Sequence, residues 1–137
     1  MTLKLLLVQD GKAILEIPLS PTDWPREQLE NELEALGENF KQVSKIFDAF
    51  SQETRFRMMR RLMEEEDRSM SFAGFMRDLD LNPKIVWENA KKLSEGGLVK
   101  RTERGRYQCS DLGQSMFIMM SLALRRLMET LEELEEF

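Results

Sequence analysis

Residues 82–113, NPKIVWENAKKLSEGGLVKRTERGRYQCSDLG, constrain the fold more tightly than any other part of the chain. Asn82-Pro83 reads as a helix N-cap followed by the first helical residue, because Asn can accept from an orphan amide and Pro has no amide to leave unpaired. The helix predicted there runs to about Glu95, where Gly96-Gly97 ends it in the manner of a left-handed residue after the cap. Residues 98–102 and 106–110 then read as two short strands. Glu103-Arg104-Gly105 forms their tip, with Gly supplying the positive φ of a tight hairpin. Ser110 or Asp111 caps a further helix. A helix, its stop, a basic hairpin and a new helix start thus follow one another without a linker.

Upstream, residues 3–9 and 13–19 are apolar and rich in β-formers, and Asp10-Gly11-Lys12 joins them as a hairpin. Ser20 to Pro25 breaks regular structure. A helix is predicted from near Pro25, carrying Leu29, Leu33, Leu36, Phe40, Val43, Phe47 and Phe50 at alternating spacings of four and three, a heptad seam. Gly37 lies inside it, at about 1 kcal/mol relative to Ala, and allows a bend. Ser51 is the predicted N-cap of a second helix over 52–63, with Phe56, Met59, Leu62 and Met63 on its apolar side. Residues 64–68 form a charged loop. Ser71 caps a short helix over 72–79, and Asp80-Leu81 leads directly into Asn82. The final helix bears a second heptad seam of Phe117, Met120, Leu124, Leu127, Leu131 and Leu134.

Composition excludes several chemistries. The chain has no His and one Cys, so it can form no internal disulfide and lacks the ligands of a structural zinc or soft-metal site. It has no Gly-rich phosphate loop and no Gly-x-Ser-x-Gly nucleophile motif; an enzyme is not expected, and no cofactor or metal is implied. The apolar run from Leu3 to Val8 is too short for a membrane span or a signal-peptide core, so a cytoplasmic protein without a membrane partner is expected. The net charge of −5 argues weakly against nucleic acid, but the charge is segregated. Residues 82–107 hold seven basic against three acidic side chains, whereas residues 1–50 hold five against nine.

The order helix, short helix, turn, helix, basic hairpin is that of a winged helix-turn-helix, and residues 44–113 resemble the ArsR-like winged-helix regulators, including archaeal members. The pattern Thr54-Arg55-Phe56-Arg57-Met58-Met59 resembles the family's Thr-Arg-apolar-Arg helix. Ala90-Lys91-Lys92-Leu93-Ser94-Glu95-Gly96-Gly97-Leu98-Val99 fits the end of its recognition helix without a gap. Gly105-Arg106-Tyr107-Gln108-Cys109-Ser110, closed by Gly113, is similar to its wing. Trp87-Glu88-Asn89 stands where the family often has Ser-Arg-His, and its metal-sensing Cys motif is absent.

The resemblance implies an α+β, mostly helical fold. An N-terminal β-hairpin (residues 1–20) and a packing or dimerisation helix (21–50) precede the winged core (51–110), and a C-terminal dimerisation helix (111–137) follows it. It implies a sequence-specific binder of double-stranded DNA that regulates transcription, its effector unknown, and the two heptad seams imply a homodimer. Asn82, Lys84, Trp87, Glu88, Lys91 and Lys92 are the candidate groove contacts. Lys100, Arg101, Arg104 and Arg106 are the wing contacts to backbone or minor groove. The C-terminal seam, Phe117 to Leu134, is the candidate dimer contact.

Each residue also has a plainer reading. Trp87 could fold back as core, wing charges can simply protect an exposed edge, and Cys109 can be core packing rather than a redox centre. Arg55, Arg57, Arg60 and Arg61 are expected to pair with the acidic first helix or with Glu64-Glu65-Glu66. Two other functions stay open: a winged-helix protein-interaction module, favoured by the acidity, Trp87 and Glu88, and an architectural DNA binder with little sequence preference.

Overall fold

The computed structural model describes residues 2–135, which fall into two compact units, one ending at Lys41 and the other beginning at Gln42. In the first, β1 (Lys4–Gln9) and β2 (Lys12–Pro18) pair antiparallel around Asp10 and Gly11, whose φ values of 50° and 82° are those of a mirror-image two-residue turn. A register shift between Leu7 and Val8 places Ile14 as the extra residue of a bulge. The Trp24 indole N–H donates to Pro18 O at 2.9 Å, tying the break after β2 back onto it.

Helix α1 (Arg26–Glu38) follows. The single helix expected to Phe50 is interrupted at Asn39, two residues beyond the anticipated Gly37 bend. Both the backbone amide of Asn39 and its side-chain Nδ2 reach Ala35 O, so the side chain competes for a carbonyl that the helix would use.

The second unit contains most of α2 (Phe40–Phe50), then α3 (Glu53–Glu64), β3 (Ser69–Ser71), α4 (Phe72–Leu79), α5 (Pro83–Glu95), β4 (Val99–Arg101), β5 (Arg106–Cys109), α6 (Asp111–Phe117), a π-helical turn (Ile118–Ala123) and α7 (Leu124–Glu135). One core holds it together. Met58, Met59 and Leu62 of α3, Phe75 of α4, and Val86, Ala90 and Leu93 of α5 are buried at helical spacing and share a core with Leu98, just before β4, and with Val99 and Tyr107 of the sheet. Tyr107 lies 6.1 Å from Phe75 and 6.4 Å from Phe72, centroid to centroid.

Local chemistry explains the joints. Ser71, Asn82 and Ser110 each cap a helix by accepting from the amide three residues on, at 2.9, 2.9 and 2.8 Å. At the end of α5, Gly97 has φ 74°, with Leu98 N bonded to Leu93 O and Gly97 N to Ser94 O, both at 3.0 Å. That pair of bonds closes a Schellman motif over two buried leucines.

Three expectations change. Residues 69–71 are not only a cap but a third strand: the sheet order is β3-β5-β4, and three residues carry too little alternation to be seen in sequence. Ser51 does not cap α3, whose N-cap is Gln52. It closes α2 instead, its hydroxyl donating to Asp48 O at 2.8 Å. The C-terminal helix is not one regular helix, because Leu124 N bonds to Met119 O, five residues back. The π turn splits the seam. Phe117 is buried and stacks on Phe56 at 5.6 Å, Met120 is half-buried, and Leu124, Leu127 and Leu131 are exposed.

Candidate nucleic-acid interface

Helix α5 buries Val86, Ala90 and Leu93, which turns Lys84, Trp87, Glu88, Lys91 and Lys92 outward. Trp87 is 55% exposed, so the alternative in which it folds into the core does not hold. An indole left in water on a helix face is the more informative state, since large aromatic rings are usually well covered. Lys91 Nζ lies 5.3 Å from the Trp87 ring centre, a cation–π placement. Lys84 and Glu88 are 3.9 Å apart. With Gln52 and Thr54 from the start of α3, Trp87, Glu88, Lys91 and Lys92 line an open groove of about 500 Å³.

Asn82 is exposed, but its Oδ1 is committed to Ile85 N, leaving only its amide N–H groups for a partner. Asn89, which follows Trp87 and Glu88 in the sequence, is buried. Its Oδ1 accepts from Arg55 Nη1 at 3.1 Å and its Nδ2 donates to Ile85 O at 2.8 Å. Arg55 itself is buried at the foot of this helix, with Nε on Ala49 O and Nη2 on Asp48 O. A buried guanidinium must satisfy its donors, and here the last carbonyls of α2 do most of that. The other basic residues of α3 pair as anticipated with the Glu run: Arg60 with Glu64 at 3.3 Å, and Arg61 with Glu65 at 2.5 Å and with Asp78 at 3.1 Å. Arg57 instead donates to Leu79 O.

On the wing, Lys100, Arg101 and Arg104 are exposed, and Arg101 sits 5.9 Å from the Tyr107 ring centre. Gly105, with φ 74°, turns the tip and donates to Thr102 O. Arg106 differs from the other three. It is half-buried, with Nε 3.2 Å from Ser69 Oγ and Nη2 3.2 Å from Ser69 O, so it fastens the wing to β3. Hydrogen bonds from the Ser69 hydroxyl and amide hold Asp67 below the usual carboxylate range, and the nearby Arg106 charge adds to this. Cys109 is buried on β5, and burial pushes its thiol up from 9.0 to about 11. It is protonated at neutral pH and therefore a poor nucleophile or redox centre.

No family model and no curated protein matches this chain. Solved structures match by fold. The homodimeric winged helix-turn-helix DNA-binding domain of a possible ArsR-family transcriptional regulator from Mycobacterium bovis is similar at 16% identity and a TM-score of 0.58, covering 66% of this chain and 84% of that one. A MarR family transcriptional regulator from Streptomyces coelicolor is similar at 18% identity and a TM-score of 0.50, covering 82% of this chain and 77% of that one. With these likenesses, the α3–α4–α5 and β3–β5–β4 arrangement is a winged helix-turn-helix, within an α+β, mostly helical chain.

Proposed function

We propose that this protein is a homodimeric regulator of transcription that binds duplex DNA sequence-specifically, with α5 in the major groove and the wing along the backbone or minor groove. The observation that carries this reading is the exposed Trp87–Lys91–Lys92 face of α5, continuous in sequence with a basic wing in an otherwise acidic chain. Lys84, Lys91 and Lys92 supply phosphate or guanine contacts, Trp87 apolar contact to a thymine methyl or a sugar, and Glu88 an acceptor for a cytosine amino group. Asn82 keeps its amide N–H groups for the backbone. Lys100, Arg101 and Arg104 supply sequence-independent charge, and Arg106 supports them from within the sheet. The fold likeness supports the reading: one similar structure is described as a homodimeric DNA-binding domain and the other as a transcriptional regulator. No helix among the described residues is long and apolar enough to cross a membrane.

A second reading, a protein-interaction module on the same fold, is favoured by the exposed Trp87 beside Glu88 and by the net charge of −5. Selection of duplexes from a random pool, followed by fluorescence anisotropy at two salt concentrations, separates the two. Sequence-selective binding that Trp87→Ala or Lys84→Ala redirects supports the regulator. Binding without selectivity indicates an architectural role, and no binding indicates the protein module.

A further inference from the structure

Asp48 stands in the last turn of α2, where the carbonyl end of the helix disfavours a carboxylate. Two cations offset this. Its Oδ1 is 3.7 Å from Arg55 Nη2 and its Oδ2 is 3.4 Å from Lys92 Nζ. Arg55 is held on all sides, by Asp48 O at 2.6 Å, Ala49 O at 3.1 Å and Asn89 Oδ1 at 3.1 Å, and Asn89 is in turn bonded to its own helix. The end of α2 is therefore tied to α5 through a buried guanidinium, which fixes the main chain of Asp48 by a hydrogen bond, while its half-exposed carboxylate makes the two ion pairs. Lys92 is half-exposed and shares the groove with Trp87.

We infer that Asp48 is a built-in competitor for the DNA backbone: it pairs with Lys92 of α5 and weakens the contact that this lysine makes to a phosphate. The inference rests on the DNA-binding reading above. A carboxylate and a phosphate oxygen offer an ammonium the same kind of charge-assisted bond, so the Asp48 charge offsets part of the attraction that Lys92 holds for a phosphate. Asp48 thereby lowers sequence-independent affinity while leaving base contacts from Lys84 and Trp87 untouched, which sharpens discrimination. Any movement that draws the end of α2 away from α5 releases Lys92 for DNA.

The test is a double-mutant cycle on the full chain, with a short random-sequence duplex as probe and affinity followed between about 50 and 200 mM salt. Asp48→Asn keeps the main-chain carbonyl that Arg55 uses and removes the charge. It is expected to tighten binding about threefold at the lower salt and to steepen the salt slope by about one, the increment of one added phosphate contact. In a Lys92→Ala background the same substitution is expected to change neither. No change in the native background overturns the inference. So does an equal gain in both backgrounds, since that is a bare charge effect without Lys92. Thermal melting checks that each variant folds, and Asp48→Ser provides a second neutral side chain should Asn fold poorly. If the unaltered protein binds no duplex at all, the DNA reading and this inference fall together; if it binds and Asp48→Asn behaves identically, the inference falls alone.

Discussion

Gly113 is fixed by steric necessity rather than by conformational freedom. A Cβ there would stand 2.1 Å from Leu98 O and 3.0 Å from Cys109 Sγ, where β4 is entered and α6 begins. Backbone cannot yield by that much without separating the wing from α6, so Gly113→Ala is expected to lose on the order of 3 kcal/mol or more of stability. Gly37 makes the opposite case. It is helical, and nothing lies within 4 Å of its absent Cβ. Gly37→Ala is expected to be neutral or to stabilise α1 by up to about 1 kcal/mol. Urea titration of the two variants against the native chain checks both signs; equal losses at the two positions would contradict the packing account of Gly113.

The wing shows how one element divides its cations between holding and reaching. Arg104 and Arg106 are two residues apart and look equivalent in sequence, yet Arg106 spends its guanidinium on Ser69 while Arg104 projects from the tip. Arg106→Ala is expected to cost about 1–2 kcal/mol of stability through the lost charge-assisted bonds and the loosened β3–β5 edge. Arg104→Ala is expected to leave the melting temperature unchanged and to weaken all duplexes about equally, with a shallower salt dependence. Melting curves beside anisotropy titrations distinguish the two roles. The π turn acts at the same scale. By inserting an extra residue into a helical turn, it lets Phe117 face the core while Leu124, Leu127 and Leu131 face outward.

At the scale of the whole molecule, the described part of α7 leaves Leu124, Leu127, Met128 and Leu131 exposed along one chain. An uncovered heptad stripe of this kind is what a second copy related by a two-fold axis would cover. Because these leucines are exposed in the single chain, Leu124→Ala with Leu127→Ala is expected to leave the winged core folded and to abolish assembly, with a melting temperature that no longer depends on protein concentration. Truncating a leucine buried in an interface costs about 2–5 kcal/mol. Sedimentation equilibrium at tens of micromolar decides: a monomeric native protein ends the proposal, and a dimeric double mutant moves the interface to the stripe of α1 and α2. A two-fold dimer would read an inverted repeat with half-sites about 34–36 Å apart, or a multiple of that.

Much of this was legible in the chain itself, because the signals are local. Asn82-Pro83 and Ser110 start helices, Gly96-Gly97 stops one and Asp10-Gly11 turns a hairpin through bonds made within a few residues, and Val86, Ala90 and Leu93 mark a buried face by period alone. The resemblance of residues 44–113 to a winged helix-turn-helix rested on those local marks in order, and the fold has that form. What sequence left open depends on which distant groups meet. A three-residue strand becomes visible only when β5 pairs with it, and Arg106 is a strut only because Ser69 lies beside it. Trp87 stands in water because α5 turns its other side to the core. The Asp48–Arg55–Asn89–Lys92 cluster joins three helices whose residues carry no shared pattern in the chain. Periodicity and capping fix elements one at a time; long-range charge pairing and burial exist only once those elements have packed.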